Sequence, residues 1–344
     1  MKLGIPKETV AGESRVATTP EIAKKIVAGG VEVLLERGAG EASHYTDAAY
    51  EEVGVTLTDR AGALGCDIVA KVRKPNADEA AQLREGAIFI GYSETCEEDP
   101  VITSMRERGV TFLAMERIPR ISRAQSMDAL SSQSNIAGYR AVIEAASHFG
   151  RFLPLMMTSA GSAKPARVIV LGAGVAGLQA IATARRLGAD VHAYDVRPET
   201  REQIESLGAK AIVLDIGEAG AGEGGYAKEL SEEGKAKQQA MLADELAKAH
   251  VIITTALIPC RPAPVLITED VVKRLREGSV IVDLAAATGN APGIVPAGNF
   301  YPDLLDPGIE LLQKPFLPED LARRVRQTLE ACVQTGDRYL NNIG

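Results

Sequence analysis

The stretch Arg167-Val-Ile-Val-Leu-Gly172-Ala-Gly174-Val-Ala-Gly177-Leu-Gln-Ala-Ile181 decides the fold. Four apolar residues in a row read as a strand buried on both faces, and the G-x-G-x-x-G that follows opens a helix. Each glycine has its own task. Gly172 allows the tight turn, Gly174 lets the backbone approach a pyrophosphate, and Gly177 lets helix and strand pack closely. Val175 and Ala176 then fall in the first helical turn, whose free N–H groups favour an anion. A second apolar run, Val191-His-Ala-Tyr-Asp195, ends in an acid 18 residues after Gly177, the place where dinucleotide-binding units carry a ribose-binding carboxylate. A glycine-rich turn with no ligand is the plainer reading, and the strand, turn, helix and distal acid together speak against it. A carboxylate at position 195 opposes a 2′-phosphate, so NAD(H) is expected over NADP(H). Arg197 leans the other way unless it balances Asp195 or stacks near adenine.

Outward from this turn, short apolar runs alternate with amphipathic stretches, the rhythm of βαβ units around parallel sheets. In the first half, strands are expected at 2–5, 31–36, 67–72, 87–92 and 111–115. Thr19 is expected to cap a helix that starts at Pro20 and stops at Gly29-Gly30. Further helices are expected at 47–53, 77–84 and 99–108, and a longer one over 131–149 that could bridge two domains. After a turn-rich linker at 158–165, strands are expected at 167–171, 190–194, 211–214, 251–255 and 279–284, with a terminal helix from Pro318. The architecture expected is α/β: two Rossmann-like doubly wound parallel-sheet domains with a nucleotide cleft between them.

Composition agrees with that size and class. A chain of 344 residues exceeds one ordinary core. Hydrophobic residues at 46% and charged residues at 24% mark a globular protein and exclude a disordered or fibrous one. A formal charge of −8 argues against nucleic acid and anionic membrane surfaces. Cys66, Cys96, Cys260 and Cys332 form no C-x-x-C pair, and His44, His148, His192 and His250 have no metal-ligand spacing, so no metal site or disulfide framework is expected and a reducing cytoplasm is. The longest uncharged stretch, 168–184, contains the glycine turn and is too short to span a membrane.

Two further segments stand out. Five glycines in the nine residues 217–225 precede a charged run through Glu245, a segment read as too polar to pack as core and as a lid or a disordered loop, with Tyr226 at its tip. The run from Pro119 to Asn135 is dense in polar side chains: Arg120, Ser122, Arg123, Gln125, Ser126, Asp128, Ser131, Ser132, Gln133 and Ser134. It suits the floor of a crevice between domains, and a plain capped turn before a helix is the competing reading.

Over nearly its whole length the chain resembles the nucleotide-binding first domain of the proton-translocating NAD(P) transhydrogenase family, carried on a separate alpha-1 subunit. The resemblance rests on Ile5-Pro-Lys-Glu8, Glu13-Ser-Arg-Val-Ala17, Arg120 to Asn135 with Gly138-Tyr-Arg140, Gly172 to Thr183, Gly225-Tyr-Ala-Lys-Glu229, Thr255-Ala-Leu-Ile-Pro259 and Pro262 to Thr268. It implies that Arg120, Gln125 and Asp128, with Ser131 adjoining, lie beside the nicotinamide. It also implies that Gly172, Gly174, Val175, Ala176, Gly177, Asp195, Arg197, Gly225, Tyr226, Gln238 and Leu257 bind NAD(H), Tyr226 as the lid tip and Leu257 as a pocket wall. The first domain would be 1–129 completed by 319–344, and the second 130–318. The implied reaction is direct hydride transfer between NADH and NADP+ on a partner subunit, which proceeds without an acid-base residue. The implied setting is a homodimer docked on membrane-spanning and NADP(H)-binding partner chains, peripheral at the cytoplasmic face of the inner membrane. Because the sequence stops soon after the expected terminal helix, hydride transfer and proton coupling are expected to depend on those chains.

Alanine dehydrogenase shares the N-terminal pattern and the glycine turn. Its substrate site uses Lys, His and Asp, whereas this chain aligns Arg73 with that Lys and has neither the His in Tyr92-Ser-Glu94 nor the later Asp in 282–287. A non-catalytic NAD-sensing module is the remaining alternative, and the polar loop with Arg120, Gln125 and Asp128 is superfluous to it.

Overall fold

The computed structural model describes residues 1–95, 98–119, 121–214, 231–256, 263, 265–285 and 310–313, less the side chains of 232, 235, 238 and 310–313. They fall into two units, Met1–Leu130 and a second beginning at Ser131. The expected terminal helix lies outside the described residues.

In the first unit, strands β1 (Lys2–Ile5), β2 (Glu32–Glu36), β3 (Thr56–Thr58), β4 (Ile68–Ala70), β5 (Ile88–Gly91) and β6 (Thr111–Ala114) form a parallel sheet in the order 3-2-1-4-5-6. Helix α1 (Pro20–Ala28) starts where Thr19 Oγ1 accepts from the Ile22 N–H and ends at Gly29. Helices α2 (Asp47–Glu51), α3 (Arg60–Leu64), α4 (Ala77–Gln82) and α5 (Pro100–Glu107) follow, each opened by an oxygen-bearing cap: Thr46, Asp59, Asn76 and Asp99. Strand β3 and helix α3 are additions to the elements expected, because three and five residues carry too little periodicity to read.

The second unit repeats the design. Helix α6 (Ala129–His148) enters it, and β9 (Arg167–Leu171), α7 (Val175–Arg186), β10 (Asp190–Tyr194), α8 (Thr200–Ser206) and β11 (Lys210–Ala211) follow the hairpin β7 (Met156–Thr158) and β8 (Gly161–Ala163). Then come α9 (Glu232–Leu246), β12 (Val251–Thr254), α10 (Glu269–Arg274), β13 (Val280–Asp283) and β14 (Glu310–Gln313). Its parallel sheet runs β11-β10-β9-β12-β13-β14, the same order as in the first unit. Strand alternation sorts the core onto two faces. Val168, Val170, Val191, Val251 and Val282 meet Val142, Ala145, Ile181 and Ala184 of α6 and α7. Ile169, Leu171, Ile252 and Ile281 meet Leu242 and Leu246 of α9 and Val271 and Val272 of α10.

Three expectations need correction. The stretch 158–165 is no mere linker, since Met156–Thr158 and Gly161–Ala163 pair as an antiparallel hairpin. The charged run before Glu245 is not too polar for the core: Glu232–Leu246 is a helix capped by Ser231 Oγ accepting from the Gly234 N–H at 3.0 Å, with Leu242 and Leu246 fully buried. Its apolar residues are few but stand four apart on one face, which suffices when the other face meets water. The strand expected at 211–214 is the shorter Lys210–Ala211.

Candidate functional site

In an open parallel sheet the chain reverses direction of progression between its first and fourth strands, and ligands bind beyond the strand C-termini at that point. In the second unit the point lies between β9 and β12. Gly172 follows β9 directly, with φ of +97°, and its N–H donates to Tyr194 O at 2.8 Å. A Cβ there would lie 2.6 Å from Thr255 Oγ1, so both the torsion and the space demand glycine. At Gly177 a Cβ would sit 1.9 Å from Gly172 O, which lets the first turn of α7 close onto β9. Gly174 differs from both. It is exposed, its φ is −78°, and a Cβ on it would meet nothing within 4 Å. Internal packing therefore does not require glycine at 174; an approaching group does. Gly174 is the N-cap of α7 and supplies no side chain, so the N–H groups of Val175 and Ala176 begin the helix without a side-chain cap. That open helix start fits a pyrophosphate.

Asp195 closes the turn from the neighbouring strand. Its Oδ2 accepts from the Ala173 N–H at 2.7 Å, and Oδ1 accepts from the Arg197 N–H at 2.9 Å. The Arg197 guanidinium binds the same carboxylate through Nε at 3.0 Å and Nη2 at 2.9 Å, and both side chains are largely buried. This pairing lifts the arginine above its ordinary value, burial opposing it in part. Of the two roles offered for Arg197, balancing Asp195 is the one the geometry adopts.

Two residues without a role in the sequence reading complete the turn. Thr255 Oγ1 donates into the carbonyls of the glycine turn, 3.0 Å from Gly172 O and 3.2 Å from Leu171 O. Gly138 on α6 lies so near α7 that a Cβ would come within 2.0 Å of Ala176 O, and Asn135 Nδ2 donates to Gln179 Oε1 at 3.2 Å. Thr255 and Gly138 both stand in family motifs, but a contact between helices distant in sequence leaves no local pattern.

The polar loop belongs to the first unit. Residues Ser122–Met127 form a 3-10 turn with Gln125 exposed, the Asp128 N–H donating to Gln125 O at 3.2 Å, and Asp128 half-buried. Ser131 is half-buried in the first turn of α6. Arg120, Gly225, Tyr226 and Leu257 lie outside the described residues, as does the Gln238 side chain, although α9 carries that residue.

The corresponding edge of the first sheet is occupied by the chain's own charges. Beyond β1 and β4, Glu8 Oε1 accepts from the Val72 N–H at 2.6 Å, and Lys71 Nζ binds Glu79 Oε2 at 2.8 Å and lies 3.7 Å from Glu8 Oε2. Arg60 also pairs with Glu79. Burial pushes the Glu8 carboxyl up, more than Lys71 pulls it down. Burial also acts on Glu79, but Lys71, the Asn76 N–H and Arg60 outweigh it and hold Glu79 below the usual carboxylate range. Glu13, whose side chain is 4% exposed, grips Arg15 at 2.6 Å and Arg73 at 2.9 Å, and Arg73 also pairs with Glu94. A cation held by two carboxylates is poorly placed to take a substrate carboxylate. Among the described residues there is no group of His, Cys, Asp and Glu able to hold a metal ion, and no helix long and apolar enough to cross a membrane.

Residues 4–137 match the alanine dehydrogenase/PNT N-terminal domain and residues 141–297 the corresponding C-terminal domain. The chain is 52% identical over 302 residues to the first of the chains that make up NAD(P) transhydrogenase subunit alpha in Rhodospirillum rubrum, covering 85% of this chain and 79% of that one. It is 29% identical to alanine dehydrogenase of Bacillus subtilis over 84% of this chain and 71% of the relative. The solved transhydrogenase of Sinorhizobium meliloti superposes with a TM-score of 0.76 at 42% identity, covering 91% of this chain and 86% of that one. A glycine turn shaped for a dinucleotide, a first-unit edge closed by its own ion pairs and this order of similarity agree: the chain belongs to the alanine dehydrogenase/PNT family, on the branch of the NAD(P) transhydrogenase alpha subunits.

Proposed function

We propose that this chain is the NAD(H)-binding subunit of a proton-translocating transhydrogenase, acting with NADP(H)-binding and membrane-spanning partners at the cytoplasmic face of the inner membrane. The observation that carries the proposal is Gly174, a position the protein's packing leaves free to bear a side chain but which is glycine beside an uncapped helix start. In this reading Gly172, Gly174, Val175, Ala176 and Gly177 hold the pyrophosphate and Asp195 takes the ribose hydroxyls once Arg197 yields one carboxylate oxygen. Bound NADH supplies the hydride that NADP+ on the partner accepts. Gln125 and Asp128, with Arg120 and Ser131, then keep the donor ring in register, Leu257 walls the pocket and Gln238 adds to the nucleotide contacts. Gly225 and Tyr226 act as the lid, the first domain comprises 1–129 and 319–344, and the nucleotide lies in the cleft between domains.

Two features support the other elements of this reading. Transfer between two nicotinamides needs proximity rather than proton abstraction, and the first unit's Glu13 has already neutralised Arg15 and Arg73, the cations an amino-acid dehydrogenase would need free. For a homodimer, Phe152, Leu155 and Met157 around β7 are 54%, 56% and 80% exposed, an apolar patch suited to cover by a second copy.

Equilibrium titrations test the nucleotide choice: NADH should bind more tightly than NADPH, and Asp195→Ala should erode the preference. Equal affinities in the parent chain would refute the role of Asp195. Reconstitution with the family's NADP(H)-binding subunit tests the chemistry. Gln125→Asn should slow transfer from NADH to an NADP analogue by up to about 10²-fold, since transfer is steep in placement, while NADH affinity changes much less. A variant that loses only thermal stability would mark the loop as a plain helix cap.

A further inference from the structure

The opposite edge of the second sheet carries a second constellation. His250 and Ser279 stand immediately before β12 and β13, whereas Gly172 and Asp195 follow β9 and β10. With parallel strands of four or five residues at ~3.3 Å each, the two places are separated by the sheet's length, on the order of 15 Å. A cavity of about 410 Å³ opens there, lined by Phe149, Arg151, His250, Arg276, Glu277 and Ser279 among others.

The imidazole of His250 is fixed in orientation and tautomer. Its backbone N–H donates to Arg167 O at 2.9 Å, and the Arg167 N–H donates back to Nδ1 at 2.9 Å. A ring nitrogen that accepts from a backbone amide carries no proton, so the proton of the neutral ring sits on Nε2. Burial, followed by the charges of Arg276, Arg151 and Arg167, holds His250 below the usual histidine range and so in this neutral form at pH 7. Yet Nε2 lies 3.1 Å from Arg276 Nη1, a group that can only donate. Two donors thus converge on one point and call for a shared acceptor.

The surroundings favour an anion as that acceptor. Arg151 lines the same cavity, and among the described residues neither Arg151 nor Arg276 pairs with a carboxylate. Glu277 is the one acid on the wall and leaves the two guanidiniums with charge in excess of it. The Ser279 hydroxyl is engaged with Ala249 O at 3.3 Å. The Phe149 ring, 5.9 Å from the imidazole between centroids, gives one apolar side. Gly150 and Gly278 have nothing within 4 Å of a built Cβ, so the mouth is clear.

We propose that this cavity is a binding site for a tetrahedral oxyanion of the phosphate class, held by His250 Nε2–H and by the guanidiniums of Arg151 and Arg276. The anion is either inorganic phosphate or the headgroup of a small phosphomonoester. The proposal is independent of the nucleotide turn, and its test leaves that turn untouched.

Four histidines make the full chain tractable by NMR of imidazole resonances, with His250 assigned through His250→Gln. Its titration is followed in chloride, in inorganic phosphate and in glycerol 3-phosphate at matched ionic strength. A bound anion favours the imidazolium, so the His250 midpoint should rise by about half a pH unit or more in phosphate relative to chloride. Arg151→Gln with Arg276→Gln should abolish the rise. A rise with both anions supports the phosphomonoester as source, and a rise with inorganic phosphate alone supports the free ion. No rise with either anion overturns the proposal, whether or not the double variant folds, as does an equal rise when both arginines are replaced. NADH titration of the same samples reports separately on the nucleotide turn.

Discussion

At the scale of single residues, three glycines of one motif obey three different constraints. Gly177 is glycine because the carbonyl of Gly172 occupies the space of its Cβ, whereas Gly174 has no such neighbour. Gly177→Ala should therefore unseat α7 from β9 and cost ~1–3 kcal/mol, the usual range for overpacking. Gly174→Ala should leave the melting temperature nearly unchanged and weaken NADH binding. Thermal melts and NADH titrations of the two variants check this, and equal destabilisation by both would remove the argument for a ligand at Gly174. Asp195 teaches a related lesson. Its position is readable from spacing, but its bonds to Ala173, the Arg197 N–H and the Arg197 guanidinium are not. Spacing along the chain says which residue reaches the strand end and nothing about which neighbour fills its lone pairs.

At the scale of elements, legibility follows length and local pattern. Helix α1 is readable from Thr19, Pro20 and Gly29, because capping chemistry is local. The strands β9 and β10 are readable to the residue from apolar runs ending in Gly172 and Asp195. Helix α9 is easily misjudged, since its Lys and Glu residues dominate any average while Leu242 and Leu246 alone meet the sheet. Leu246 is fully buried among Ile169, Ile252 and Ile281. Leu246→Ala should cost ~2–5 kcal/mol, as for other large-to-small changes in cores. Denaturant unfolding measures it; a loss within error of zero would return the segment to the class of solvated loops. The hairpin of β7 and β8 escapes a reading of the sequence because each strand has three residues, too few to alternate recognisably.

At the scale of the whole molecule, one strand order serves two purposes. Both sheets run 3-2-1-4-5-6, yet the edge beyond the central strands carries a glycine turn in the second unit and a charge cluster in the first. That cluster ties stability to pH. Glu79 lies below its ordinary value near 4.5 in the folded chain, so it contributes stability above that value and loses it as pH falls through the lower folded value. Glu8, raised by burial, acts in the opposite sense and partly offsets this. Glu79→Gln should break the buried pair with Lys71, lowering stability at pH 7 by ~3–5 kcal/mol, and should flatten the decline towards acid. Melting temperatures between pH 7 and pH 4 provide the check, and a parent-like slope in the variant would show that other carboxylates govern acid unfolding.

The sequence by itself determined the α/β class, the parallel strands around Val168–Leu171, the glycine turn and the acid at 195. These depend on residues near one another along the chain, where sterics, capping and side-chain alternation act locally. Only the tertiary structure decided that Thr255 clasps the Gly172 carbonyl, that Gly138 admits α7, that Glu13 binds both Arg15 and Arg73, and that His250 faces Arg276. Each of those contacts joins separate elements or loops. Their partners are chosen by which strand ends and helix turns the sheet order brings side by side, a choice that no local pattern encodes.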